Sequence, residues 1–119
     1  MRANANGKIL YGAVMRYANF SELKLLQKSG ANILDLRESD EFKTGHIPGA
    51  VNVPSNSLET QIKKMPKGKP LAIYCETSGP KTKFAASVLK KFGFKRVLII
   101  QYGYEGWLLE KELARKAKK

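Results

Sequence analysis

The feature that most constrains the fold of this sequence is its alternation of short apolar segments with segments of helical periodicity. The apolar segments predict β-strands, and several of them end in a polar loop. Strands are predicted at residues 13–17, 32–36, 69–74 and 96–100, with a shorter β-like segment, AVNV, within residues 45–54. Helices are predicted at residues 20–30, 57–65 and 107–118, and within 81–94. This order favours an α/β fold, with a mostly parallel sheet and helices on both faces.

Cap residues mark the ends of the predicted helices. Ser21 occupies the N-cap position of the first helix and Gly30 its C′ position. Ser57, with Thr60 three residues later, is predicted to cap the second helix, and Gly93 to end the third. Five apolar side chains of the third helix lie at helical spacing and predict a core-facing stripe. They are Phe84, Ala85, Val88, Leu89 and Phe92.

The length of 119 residues predicts one domain with one core. Residues 1–12 are polar and contain two glycines, which predicts a flexible leader before a single domain at residues 13–119. No segment approaches the roughly 20 apolar residues of a membrane helix. The basic N-terminus is not followed by the apolar stretch of a secretory signal. We therefore expect no membrane partner and a cytoplasmic location, or a periplasmic one if a signal peptide had been removed.

The charge is strongly basic, with 22 Lys and Arg against 10 Asp and Glu and a net charge of +12. Such a field attracts anions of any kind. The lysines are scattered along the chain, which is typical of a solvated surface. No RNP-like aromatic motif and no zinc-finger spacing is present. We therefore expect a small anionic partner rather than a nucleic acid.

The chain contains one cysteine, Cys75, which excludes an internal disulfide framework and a thiolate zinc cluster within one chain. Cys75 directly follows a predicted strand, and ligands of open α/β sheets bind beyond the carboxyl ends of strands. The small or hydroxylated residues after it lead into a helix, so their amides can form an anion cradle that stabilises a thiolate. Cys75 is therefore a candidate nucleophile. The alternative is a buried, inert thiol.

Two long segments around these residues resemble the rhodanese family. The segment ILDLRESDEFKTGHIPGAVNVP is similar to the first rhodanese signature, and AIYCETSGPKTKFAASVLKKFGFKRVLII to the active-site loop and the helix behind it. The segment YGYEGW resembles a third family element. The resemblance covers about residues 13–109 and implies a parallel five-stranded sheet flanked by helices.

The resemblance also implies a function, because Cys75 matches the catalytic cysteine of the family's sulfurtransferases. Its thiolate would take sulfane sulfur from thiosulfate, a polysulfide or a protein persulfide, and a thiol or protein acceptor would remove it. No cofactor or metal is implied. The expected substrate-binding residues are the loop after the cysteine, the two residues at the start of the following helix and one arginine. They are Glu76, Thr77, Ser78, Gly79, Lys81, Thr82 and Arg37.

The loop departs from the common sulfurtransferase pattern in length and composition. Five residues separate Cys75 from Lys81, one more than the family spacing between cysteine and arginine, and Lys81 and Thr82 stand where arginine and serine are usual. The longer loop resembles that of phosphatases and arsenate reductases, which use the same fold. Two features disfavour this alternative. Lysine lacks the planar fork with which arginine binds phosphate through two hydrogen bonds, and Pro80 lacks an amide hydrogen that could donate to an oxyanion. Pro80 is also predicted as the first residue of a helix capped by Ser78.

A third alternative is a non-catalytic binding module that uses the fold to dock a partner. Glu76, Pro80 and Lys81 motivate it, because a tuned catalytic loop would differ at these positions. Asp35 and Arg37 are expected to hold loops together by paired hydrogen bonds. His46 is expected to be structural and to bond nearby loop carboxylates.

Three aromatic residues and Glu76 lie in or near the motifs of the candidate site. Tyr102 and Trp107 are predicted to be packing residues, and Tyr102 or Tyr104 is a candidate for the rim of the pocket. Glu76 is expected to point to solvent or to contact a partner, since an inward carboxylate would raise the pKa of the thiol.

Overall fold

A computed structural model of the chain describes residues 16–117. The strands are β1 (Tyr17–Ala18), β2 (Asn32–Asp35), β3 (Ala50–Asn52), β4 (Leu71–Tyr74) and β5 (Val97–Ile100). The helices are α1 (Phe20–Ser29), α2 (Ser39–Thr44), α3 (Leu58–Ile62), α4 (Pro80–Lys91) and α5 (Gly103–Ala117), with a 3₁₀ turn at Ser55–Ser57. The predicted leader at residues 1–12 lies outside the described residues.

The five strands form one sheet in the order β1-β5-β4-β2-β3, and every neighbouring pair is parallel. The predicted five-stranded parallel sheet is therefore confirmed. Strands β2 and β4 are adjacent, with Asp35 opposite Tyr74 at their carboxyl ends. The residues that follow these two strands meet at the same edge of the sheet.

Both faces of the sheet are covered, as the alternation of elements predicts. Strand β4 is buried at all four positions, which is typical of a parallel strand between two helical layers. Leu71 and Ile73 pack with residues of α3 and α4, whereas Ala72 and Tyr74 pack with residues of α1 and α5. By the same alternation, Cys75 belongs to the α3 and α4 face.

Several predicted helix ends are wrong. Asn19, not Ser21, caps α1: its side chain accepts the amide of Glu22 at 2.9 Å, and the Glu22 carboxylate accepts the amide of Asn19 at 2.9 Å. This reciprocal capping box satisfies two amides at once, whereas Ser21 lies inside the helix. Gly30 ends α1 in the left-handed conformation, as predicted.

Helix α3 is shorter than predicted and ends at Ile62. Ser57 precedes it, but the Ser57 hydroxyl donates to the Pro54 carbonyl and does not cap the helix. Helix α2 lies in a segment where no helix is predicted from the sequence, because its six residues carry no apolar stripe and none of them is buried. Helix α5 begins four residues before the predicted start at residue 107.

The predicted stripe of α4 is only partly correct. Ala85 and Leu89 are buried, but Phe84 is 71% exposed. The buried face instead includes Thr82 and Ala86, so it lies slightly to one side of the stripe. Gly93 follows the helix with a positive φ of 100°, in agreement with its predicted role as the helix end.

The second strand is one residue shorter than predicted, and the first extends one residue past its predicted end. Strand β1 contains Tyr17 and Ala18, and the predicted positions 13–15 lie outside the described residues. Strand β2 ends at Asp35, before the turn that carries Arg37. No helix within residues 16–117 is both long and apolar enough to cross a membrane.

Candidate active site

The candidate site lies where the carboxyl ends of β2 and β4 meet. Cys75 directly follows β4, and Arg37 lies two residues beyond β2. Cys75 is 6% exposed and opens on a cavity of about 180 Å³. The lining residues include all but one of the predicted site residues: Arg37, Glu41, Cys75, Glu76, Thr77, Gly79, Pro80, Lys81 and Thr82. The cysteine is thus buried yet lines a pocket, as its place after the strand predicts.

Ser78 is the predicted site residue that does not line this cavity. Its hydroxyl accepts the amide of Tyr102 at 3.2 Å, so it ties the loop to the start of α5. The prediction that Ser78 caps α4 is wrong, because Gly79 is the N-cap and Pro80 is the first helical residue. A proline at this position loses no helical hydrogen bond, so the predicted role of Pro80 is confirmed.

The N-terminus of α5 holds the loop after Cys75 in place. The amide of Tyr104 donates to the Cys75 carbonyl at 2.9 Å, and the amide of Glu105 donates to the Glu76 carbonyl at 3.1 Å. Gly103 permits this approach, because a Cβ there would lie 2.7 Å from both carbonyl oxygens. The φ of Gly103 is also positive, at 63°. These contacts direct two loop carbonyls toward α5.

The orientation of these carbonyls sets the direction of the next two amides. In a trans peptide the N–H points opposite to the carbonyl, so the amides of Glu76 and Thr77 face away from α5. Within residues 16–117, no hydrogen bond uses the amides of residues 76–79 as donors. The amides of Thr82 and Lys83 donate to the Gly79 carbonyl at 3.1 and 3.2 Å. The loop therefore has amides available to an anion.

Arg37 and Asp35 form a buried ion pair beside the loop. Arg37 Nη2 lies 2.8 Å from Asp35 Oδ2, and Arg37 Nε donates to both carboxylate oxygens at 3.1 and 3.2 Å. The Tyr74 hydroxyl donates to Asp35 Oδ2 at 2.6 Å and accepts the amide of Ile47 at 3.0 Å. Burial and the hydrogen bond to Asp35 raise the pKa of Tyr74. The predicted loop-holding role of Asp35 and Arg37 agrees with this network.

Arg37 makes further contacts through Nη2 and Nη1. Arg37 Nη2 donates to the Gly45 carbonyl at 2.6 Å, and Nη1 lies 3.5 Å from Glu76 Oε1. The guanidinium carbon lies 4.0 Å from the centre of the Tyr104 ring. Burial lowers the pKa of Arg37, but hydrogen bonding and charge from Asp35 outweigh it and keep the group protonated. Arg37 reaches the cavity as a cation already compensated by two carboxylates.

The sequence predicts a stabilised thiolate and therefore a lowered pKa for Cys75, but the pKa of the thiol without bound sulfur is raised. Burial raises its pKa, because the thiolate loses hydration. Hydrogen bonding from Thr82 and the charge of Lys81 act in the lowering direction, whereas the charges of Asp35 and Glu41 raise the pKa further. Thr82 itself is fully buried, and its hydroxyl lies 3.1 Å from the Thr77 carbonyl. The hydroxyl has a single proton, so it donates either to that carbonyl or to the Cys75 sulfur, and only the second bond favours the thiolate.

Two site residues were not predicted from the sequence. Glu41 lines the cavity from α2, a helix that is not predicted from the sequence. Its Oε1 accepts the amide of Glu38 at 3.0 Å, which completes a helix cap. Gly103 was also missed, because its role depends on the close approach of α5 to the loop. The pair of glutamates three residues apart is the signal that could have indicated α2.

The other singled-out side chains have structural contacts. His46 stacks on Phe42, and its Nδ1–H donates to the Phe42 carbonyl at 2.8 Å, not to a carboxylate. Tyr104 and Trp107 stack on each other and pack against the buried side chains on the α1 and α5 face of the sheet. Tyr102 is 64% exposed, so its predicted packing role is wrong. The half-exposed Glu76 side chain reaches both solvent and Arg37.

Comparison with known proteins assigns a family to this arrangement. The model of the rhodanese-like domain matches residues 19–110. YrkF of Bacillus subtilis is 37% identical over 76 residues, which are 64% of this chain and 40% of YrkF. The thiosulfate sulfurtransferase GlpE of Pseudomonas savastanoi is 31% identical over 86 residues, which are 72% of this chain and 80% of GlpE.

Solved structures agree with the family match. The human single-domain sulfurtransferase TSTD1 has a TM-score of 0.67 and 26% sequence identity, and the match covers 80% of this chain and 96% of TSTD1. The chain thus spans most of GlpE and TSTD1 but less than half of YrkF.

Proposed function

The chain belongs to the rhodanese-like domain family, and from that premise we propose that it is a sulfurtransferase in which Cys75 carries sulfur as a persulfide. The observation that supports this best is the position of the chain's single thiol. It lines a cavity, at the start of a loop whose amides, those of residues 76–79, donate to no protein acceptor within residues 16–117. This chain matches most of the length of GlpE and of TSTD1, two family members that are named as sulfurtransferases.

The proposed first step transfers one sulfur atom to Cys75. The thiolate attacks the outer sulfur of the donor, the donor's sulfur–sulfur bond breaks, and the leaving group departs with the electron pair. With thiosulfate the leaving group is sulfite, and with a protein persulfide it is a cysteine thiolate. Cys75 is then a persulfide, and its terminal sulfur carries the negative charge.

The proposed second step returns the enzyme to its starting state. A thiol or protein thiolate attacks the terminal sulfur, and the Cys75 thiolate leaves. The amides of residues 76–79 are proposed to stabilise the negative sulfur in both steps. Lys81 and Thr82 are proposed to favour the anionic form, as their lowering effect on the thiol pKa supports. The proposed role of Arg37 is to hold the loop beside the cavity.

Intact-protein mass after exposure to sulfur donors tests this function directly. Wild type is expected to gain about 32 Da, one sulfur atom, and to lose it on addition of a thiol. Because Cys75 is the only cysteine, Cys75→Ser removes every possible persulfide site and should gain nothing. The donor panel includes thiosulfate, inorganic polysulfide and a peptide persulfide. Failure of wild type to gain sulfur from any of them would refute the proposal.

A non-catalytic binding module is the second candidate. The burial of Cys75 favours it, because burial raises the pKa of the thiol, whereas catalytic cysteines have a lowered pKa. This candidate predicts that neither wild type nor Cys75→Ser takes up sulfur. The phosphatase and arsenate-reductase alternative is supported only by the five residues between Cys75 and Lys81. Hydrolysis of an aryl phosphate that disappears in Cys75→Ser would favour it.

A further inference from the structure

The charges around the Cys75 cavity differ from the charge of the whole chain. The chain carries a net charge of +12, yet the charged residues that line the cavity are two cations, Arg37 and Lys81, and two carboxylates, Glu41 and Glu76. Asp35 adds a third carboxylate directly behind Arg37. Around the thiol, carboxylates therefore outnumber cations by three to two.

Arg37 is poorly placed to bind a small dianion. Its Nε and Nη2 are held by Asp35 and by the Gly45 carbonyl, and its Nη1 faces Glu76 at 3.5 Å. A donor anion that approached Nη1 would meet the negative charge of the Glu76 carboxylate beside it. Glu76 therefore weakens the attraction of Arg37 for such an anion.

Glu41 adds a second carboxylate at the same cavity. It lies on α2, which is distant from the Cys75 loop in the sequence, but it lines the same cavity as that loop. Its charge acts on the thiol in the direction that opposes a negative sulfur. Arg37 is already paired with carboxylates, so Lys81, which is exposed in the first turn of α4, is the other cation that lines the cavity with these two glutamates.

We propose that Glu76 and Glu41 select the sulfur donor of Cys75. They discriminate against small dianions such as thiosulfate and favour a persulfide on a peptide or protein cysteine, whose sulfur carries one negative charge or none. This inference rests on the proposed function and specifies its donor class. Both residues act by charge across the cavity and take no part in bond making.

Alkylation of Cys75 by two matched reagents tests the selection without any sulfur transfer. Iodoacetamide is neutral and iodoacetate is an anion, and both react when the thiolate displaces iodide from the methylene carbon. The ratio of the iodoacetate rate to the iodoacetamide rate cancels any change in the pKa of the thiol. It therefore reports the local field on an incoming negative charge.

Glu76→Gln and Glu41→Gln are each expected to raise this ratio by about two- to fivefold at low salt, the effect of one charge a few ångströms from the reagent in a water-like dielectric. The increase should shrink at high salt. Glutamine at residue 41 keeps the helix cap, since Gln serves there as well as Glu. Glu110→Gln is the matched control, because it removes one exposed carboxylate that does not line this cavity. Its ratio should equal that of wild type.

An unchanged ratio in both Glu76→Gln and Glu41→Gln would overturn the inference. Sulfur loading provides the second measurement: wild type should load faster from a peptide persulfide than from thiosulfate, and Glu76→Gln should narrow that difference. Faster loading of wild type from thiosulfate would also overturn the inference. If no donor loads wild type, the proposed function fails and the donor selection fails with it, whereas a changed alkylation ratio would still show charge selection at the cavity.

Discussion

At the scale of single residues, burial and charge act on Cys75 in opposite directions. The side chain is 6% exposed, so the thiolate loses hydration and the pKa rises. Thr82 and Lys81 act against this rise. Burial therefore disfavours the thiolate, whereas a hydrogen bond from Thr82 and the charge of Lys81 favour it.

The pH dependence of Cys75 alkylation tests this balance. Because the pKa is raised, the iodoacetamide rate should still be rising above pH ~8.5, the free-thiol value. Lys81→Gln removes a charge that stabilises the thiolate, so its rate profile should shift to higher pH. Lys83→Gln, the neighbouring exposed lysine outside the cavity lining, should shift it less. A wild-type midpoint below 8.5 would show instead that the loop amides dominate over burial.

At the scale of elements, the site depends on the docking of α5 against the loop after β4. Two amides at the start of α5 donate to the carbonyls of Cys75 and Glu76, and Gly103 lies at the point of closest approach. The loop conformation is thus set by an element that begins 28 residues later in the chain. A helix that is remote in sequence orients the amides beside the thiol.

Gly103→Ala should disrupt this docking. The new Cβ would lie 2.7 Å from the carbonyl oxygens of Cys75 and Glu76, and the positive φ of 63° adds strain. We expect a loss of about 2–4 kcal/mol in the free energy of unfolding, measured by urea denaturation. Gly68→Ala is the matched control, because nothing lies within 4 Å of its Cβ position. Its effect should stay within about 0.5 kcal/mol. Equal stability of the two variants would contradict the docking described here.

At the scale of the whole molecule, the net charge of +12 opposes compaction, because like charges repel more strongly in the folded chain. Raising the salt concentration screens this repulsion over a Debye length of about 10 Å at 0.1 M. We expect the thermal midpoint to rise by a few degrees between roughly 10 and 200 mM sodium chloride. Sulfate at equal ionic strength separates general screening from anion binding, which would raise the midpoint further. A midpoint that falls with salt would show that attractive pairs dominate.

Local patterns in the sequence by themselves determined the α/β class and the position of Cys75 after a buried strand. The apolar runs of β2, β4 and β5 and the glycine end of α4 are signals within a few residues, so they could be interpreted without the fold. The five-stranded sheet and the proposed sulfur chemistry were predicted from the resemblance of the two long motifs to the rhodanese family. The amphipathic stripe of α4 was predicted with a small rotational error, since spacing alone does not show which part of a wide apolar face meets the sheet.

Only the tertiary structure decided the electrostatics of the site. The raised pKa of Cys75, the compensation of Arg37 by Asp35 and Glu76, and the approach of Glu41 and Gly103 depend on contacts between different elements. Charge and burial act through space, and the sequence does not record which distant residues become neighbours. The same composition with α2 or α5 placed elsewhere would leave the thiol in a different field.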